Sequence, residues 1–178
     1  MAHVTREQIH RLLDRALLRD EHDAPARQLD ALAADYESGE VSRASLLVLA
    51  AEEWRRVGRP AIALERFRQA LEDGGEVSVD PRAGIADVLF ELDRPDEARE
   101  VLRTLREERG NDPATCLSVA ETLMAYGDLA GAHEWATAGV LAGADGETRD
   151  ALLRTRYRVR VDLGLPEDEL DALLDVSR

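Results

Sequence analysis

Three carboxylates recur in one register. Glu52, Asp87 and Glu121 stand 35 and 34 residues apart, and each lies eleven residues before an alanine, Ala63, Ala98 or Ala132. Carboxylates repeated along one face attract a guanidinium or an ammonium group and steer cationic ligands toward it. Val48, Phe90, Leu117 and Met124 lie three or four residues from an acid of the row and offer the same ligand an apolar floor. A merely solvated face would read the same way, because 37 of the 178 residues are Asp or Glu. Arg154 and Arg158 are one helical turn apart and form a cationic counterpart.

Covalent and metal chemistry have less to stand on. Cys116 is the one cysteine, so an intramolecular disulfide and a multi-cysteine metal site are both excluded. A cysteine nucleophile needs a positioned histidine, and no spacing supplies one; packing between helices is expected instead. His10 and Asp14 share a helical face, but two ligands without a third make no site. His3, His10, His22 and His133 are expected as surface polar residues. All 23 basic residues are arginine, which excludes a Schiff-base lysine and a phosphate-loop lysine. No cofactor and no metal are expected, and the chain does not read as an enzyme.

Composition bounds the partners. Hydrophobic residues make up 44% and charged residues 34%, with 6 prolines and 12 glycines, the balance of an ordered helical globule. The net charge of −14 repels phosphate backbones and anionic membrane surfaces, so neither nucleic acid nor membrane is expected as a partner. The absence of lysine and the single asparagine, Asn111, carry the imprint of a GC-rich genome and fit a bacterial source. The opening Met-Ala-His-Val-Thr-Arg-Glu has no apolar run, and Leu46–Ala51 is too short to span a bilayer. A cytoplasmic location is the expectation.

Ten helices would position these residues. Thr5 with Gln8 opens the first, to about Asp20, and Asp23 caps a second that ends near Ser38-Gly39. Ser42 opens a third to Val57, and Gly58-Arg59-Pro60 turns into a fourth that stops at Gly74-Gly75. Asp80-Pro81 and Asp112-Pro113 open the fifth and seventh, aspartate suiting the cap and proline the first helical position. The sixth runs from Pro95 to Arg109, and the eighth from the Gly127-Asp128 turn to about Ala142. The ninth ends at Leu163 and a tenth runs from Pro166 to about Val176. Arg156 to Val161 alternates like a strand, but Leu152, Val159 and Leu163 align at helical spacing, so helix is expected there.

The anchor alanines carry a repeated neighbourhood. Ala51, Ala86 and Ala120 lie twelve residues before them; Trp54, Leu89 and Leu123 nine before; Gly58, Asp93 and Gly127 five before. Phe67, Leu102 and Ala136 follow four after, and Ala70, Leu105 and Gly139 seven after. A period of ~34 with this pattern marks stacked helix–turn–helix units. Over residues 44–146 it resembles the tetratricopeptide repeat (TPR) family. Asp93 and Leu105 depart from the family pattern in the second repeat, and Ala136 and Gly139 in the third.

The resemblance implies an all-α, right-handed α-α solenoid of about five antiparallel helix pairs, a TPR-like superhelix. A single helical-repeat domain over 1–178 would comprise an N-terminal capping pair at 1–43, three repeats at 44–146 and a C-terminal capping pair at 147–178. Family members hold a protein or peptide in the concave groove, lined by the first helix of each pair. That register directs Val48, Glu52, Asp87, Phe90, Leu117, Glu121 and Met124 into the groove, with Arg154 and Arg158 as its cationic end. The expected function is a non-enzymatic scaffold for a protein or peptide bearing Arg or Lys. The alternative is a self-assembly module without a peptide ligand; monomer and homodimer both stay open. Val48, Glu52, Gly84 and Ser118 occupy the positions of the family's cationic carboxylate clamp, so that clamp is missing. Trp54 is expected in the core, and Trp135 partly exposed.

Overall fold

The computed structural model describes residues 2–109 and 112–175. Ten helices lie among them: α1 (Arg6–Arg19), α2 (Asp23–Ala34), α3 (Arg43–Arg56), α4 (Pro60–Asp73), α5 (Pro81–Glu91), α6 (Pro95–Arg109), α7 (Pro113–Ala125), α8 (Leu129–Leu141), α9 (Gly146–Asp162) and α10 (Ala172–Asp175). Helices pack mainly on those nearest in sequence, as in α-α repeat proteins. The starts follow from local hydrogen bonding. The side chains of Thr5, Ser42, Asp80, Asp112 and Asp128 each accept from a backbone N–H of the first turn, and proline takes an early helical position in α4, α5 and α7.

Three expectations need correction. The second helix stops at Ala34 rather than near Ser38-Gly39. Tyr36–Gly39 instead forms β2, which pairs in parallel with β1 (Ala2–Val4). Val4 is fully buried, and a Cβ on Gly39 would lie 2.4 Å from the Val4 carbonyl oxygen, so the close pairing requires glycine there. Helix α2 starts at Asp23 with His22 as its cap residue, so aspartate occupies the first turn instead of the cap. The tenth helix is only Ala172–Asp175 among the described residues; Val176, its expected end, lies outside them.

The chain forms two compact units, Met1–Ala98 and Arg99–Arg178, with the division inside α6. In the first unit, Val4, Ile9, Leu29, Leu46, Leu47 and Ala70 form one buried cluster. Trp54, Phe67, Ile85 and Leu89 are also buried there. Each fully buried leucine stabilises by about 1.5–3 kcal/mol. In the second unit the core includes Leu105, Cys116, Val119, Leu123, Trp135, Leu152 and Val159. Trp135 is therefore buried, against the expectation of partial exposure, and the Arg106 guanidinium covers its ring at 4.6 Å from the centroid.

The repeat columns behave as spaced. Ala63, Ala98 and Ala132 are all fully buried, as are Ala51, Ala86 and Ala120. The turn column is left-handed throughout, with φ of 75° at Gly58, 58° at Asp93 and 83° at Gly127. Aspartate meets the same backbone demand as glycine there, because its short polar side chain tolerates that region better than most.

Candidate functional site

In the first unit, α3 carries Val48 and Glu52, and α5 carries Asp87 and Phe90, all four half-buried. Arg55 joins the two helices. Its Nη1 donates to the Asp87 Oδ2 at 2.5 Å and its Nε to the Glu91 Oε2 at 3.1 Å. Burial pushes the Glu52 carboxyl above its ordinary range, against the pull of Arg55 and Arg56; Asp87 and Glu53 push it further up. Burial also raises Asp87, opposed by Arg55. Four carboxylates, Glu52, Glu53, Asp87 and Glu91, thus stand against two guanidinium groups, Arg55 and Arg56.

In the second unit, α7 carries Leu117 and Met124, both half-buried, and Glu121, which is exposed. Partial desolvation raises the Glu121 carboxyl. Arg154 and Arg158 are exposed on α9. The row therefore divides between the units: Glu52 and Asp87 lie near Arg55 in the first, and Glu121 lies on α7 in the second.

Sequence reasoning missed Arg55. Its signal was present, since Arg55, Phe90 and Met124 occupy one column of the repeat and only the first is charged. Two further clusters were missed. Glu53 is 2% exposed and is held by His22 at 2.7 Å and by Arg56, so His22 is part of a buried tie and not a surface residue. On α9, Arg156 and Arg160 are buried rather than solvated. Arg156 donates to Thr137 at 3.0 Å, to Asp171 at 3.2 Å and to Asp168, while Arg160 donates to the Leu165 carbonyl at 2.7 Å and pairs with Asp171 at 2.8 Å. His133 also departs from the surface expectation. It is half-buried, its Nε2 has no hydrogen-bond partner, and burial together with nearby Arg156 lowers its pKa.

Each unit also carries a cleft. One of about 480 Å³ in the first unit is lined by Asp30, Leu47, Arg66, Gln69 and Asp73 among others. Its polar groups are largely tied to structure: Asp30 accepts from Arg66 Nε at 2.7 Å and from the Trp54 indole at 3.0 Å. One of about 330 Å³ in the second unit lies over Leu102, Leu123 and Trp135. Among the described residues, no group of three or more His, Cys, Asp or Glu could hold a metal ion, and no helix is long and apolar enough to cross a membrane. Cys116 is buried, and that burial pushes its thiol up to about 11, the wrong direction for a nucleophile at neutral pH.

Paired helices with buried small residues at the anchor columns, left-handed turns and a charged face on the first helix of a pair define an α-α repeat. Residues 55–115, about a third of the chain, match the family model of the tetratricopeptide repeat, so this segment is similar to that family. No curated protein matches it. Repeats of this family generally serve as scaffolds for protein–protein interaction.

Proposed function

We propose that the chain is a non-enzymatic scaffold that binds an Arg- or Lys-bearing protein or peptide on the face that α3 and α5 present in its first unit. The carrying observation is the first-unit cluster, where half-buried Glu52 and Asp87 lie on neighbouring helices and Arg55 is already tied to Asp87 and Glu91. Desolvated carboxylates short of a counter-ion favour a cation delivered by a partner. Val48 and Phe90 supply apolar contact for the stem of the partner's Arg or Lys side chain. In the second unit, Leu117, Glu121 and Met124 give α7 an acidic and apolar face of its own. The repeats at 44–146 carry the binding faces, and the pairs at 1–43 and 147–178 act as caps of the same domain.

Calorimetric titration with a blocked hexapeptide bearing two arginines tests this reading. Wild type is expected to bind, and Glu52→Gln with Asp87→Asn to weaken binding by roughly tenfold. Equal binding by the double variant, at unchanged helicity, would remove the cluster from the site.

A further inference from the structure

The middle of α9 is rich in arginine. From Ala151 to Val161 there is no acid, and four arginines fall within seven residues, in a chain of net charge −14. Two of the four, Arg156 and Arg160, are consumed by the buried network with Thr137, Asp168, Asp171 and the Leu165 carbonyl. The other two, Arg154 and Arg158, are exposed, and no hydrogen bond or ion pair holds either among the described residues.

Their neighbours on that face are apolar. Tyr157 is 46% exposed and Val161 51%, and the spacing 154, 157, 158, 161 places all four side chains on one helical stripe. The Arg160 guanidinium lies 5.2 Å from the Tyr157 ring centroid, which helps fix the aromatic ring in place. On other exposed helix faces Arg11, Arg27 and Arg103 pair with an acid one turn away, whereas Arg154 and Arg158 make no ion pair, among the described residues, with Asp150 and Asp162, the acids one turn from each. The α9 stripe also sets two unpaired like charges a turn apart, an arrangement that destabilises an isolated helix.

We infer that this stripe docks an acidic amphipathic helix of a partner protein, with two carboxylates a turn apart on Arg154 and Arg158 and an apolar residue against Tyr157 and Val161. The charges of stripe and occupant are complementary, and guanidinium groups favour paired contacts with carboxylates. The same complementarity disfavours a second copy using its own α9, which would oppose arginine with arginine. The inference rests on the scaffold reading above but uses a different surface and the opposite charge.

The probe is a blocked, alanine-rich helical peptide with two glutamates four residues apart and a leucine on the same face, titrated by fluorescence anisotropy. Wild type is expected to bind it, and the glutamine version of the peptide to bind about tenfold more weakly. Arg154→Glu with Arg158→Glu should lose the glutamate peptide and gain the corresponding lysine peptide. Both residues are exposed, so far-UV circular dichroism should stay unchanged; Arg154→Gln with Arg158→Gln gives a milder second variant. Glu52→Arg with Asp87→Arg should keep the glutamate peptide while losing the arginine hexapeptide, which separates failure here from failure of the first-unit reading. Undiminished glutamate-peptide binding by the α9 variants, or no binding by wild type, would overturn the inference. So would phosphatidylglycerol vesicles, or a wild-type dimer dissolved by these substitutions, as the occupant of the stripe.

Discussion

Arg55 decides how much of the acidic face is open to a partner. It spans from α3 to two carboxylates of α5, yet Glu52 beside it keeps a raised carboxyl because burial outweighs the nearby guanidinium groups. The stability consequence has a definite sign. A carboxyl raised in the folded state makes its most favourable contribution below the unfolded value, and that contribution is lost as pH rises through the folded value. Glu52→Gln is therefore expected to raise the melting temperature at pH 7, with the gain shrinking as pH falls through the carboxylate range. Thermal scans at pH 7 and pH 4 check it; a gain that grows on acidification would contradict the burial argument. The acids of this cluster were legible from their spacing. The arginine that binds them was not, because its reach to Asp87 and Glu91 depends on side-chain conformations across two helices.

At the scale of elements, the helix starts were legible because each rests on a local device. The caps at Thr5, Ser42, Asp80, Asp112 and Asp128 are set within three residues of their acceptor side chains. The β1–β2 pair was not legible, since it joins Ala2 to Tyr36 across a helical hairpin with no local signature. The short α10 has a similar cause. The Glu167–Leu170 stretch has helical composition, but Asp168 and Asp171 turn their carboxylates toward the α9 arginines and the backbone before α10 begins. The departures from the repeat pattern also have physical reasons. Gly139 replaces a larger residue because a Cβ there would lie 2.8 Å from the Cys116 Cβ and 2.9 Å from the Leu152 methyl carbons. Gly139→Leu is expected to overpack this contact by about 3 kcal/mol and lower the melting temperature by roughly 6–12 °C. A melting curve that matches wild type would mean that α8 can move away from α7 and α9 at little cost.

Across the whole molecule, charge is distributed unevenly at two levels. The net −14 makes the surface broadly attractive to cationic partners and screens out phosphate-rich ones. Within it, the first unit concentrates carboxylates around Arg55, while the second exposes Arg154 and Arg158 on α9. The fold was legible at this scale because a period of ~34 repeats the same burial demands at Ala63, Ala98 and Ala132. The partner is less legible, because a scaffold fold serves many ligands and only its charged faces discriminate among them. Selection from an unbiased peptide display library against the full chain measures that discrimination directly. Wild type is expected to enrich peptides bearing arginine or lysine, and Glu52→Arg with Asp87→Arg to lose that enrichment while staying helical. Recovery of the same basic peptides by wild type and variant, or no enrichment of basic residues by wild type, would contradict the account.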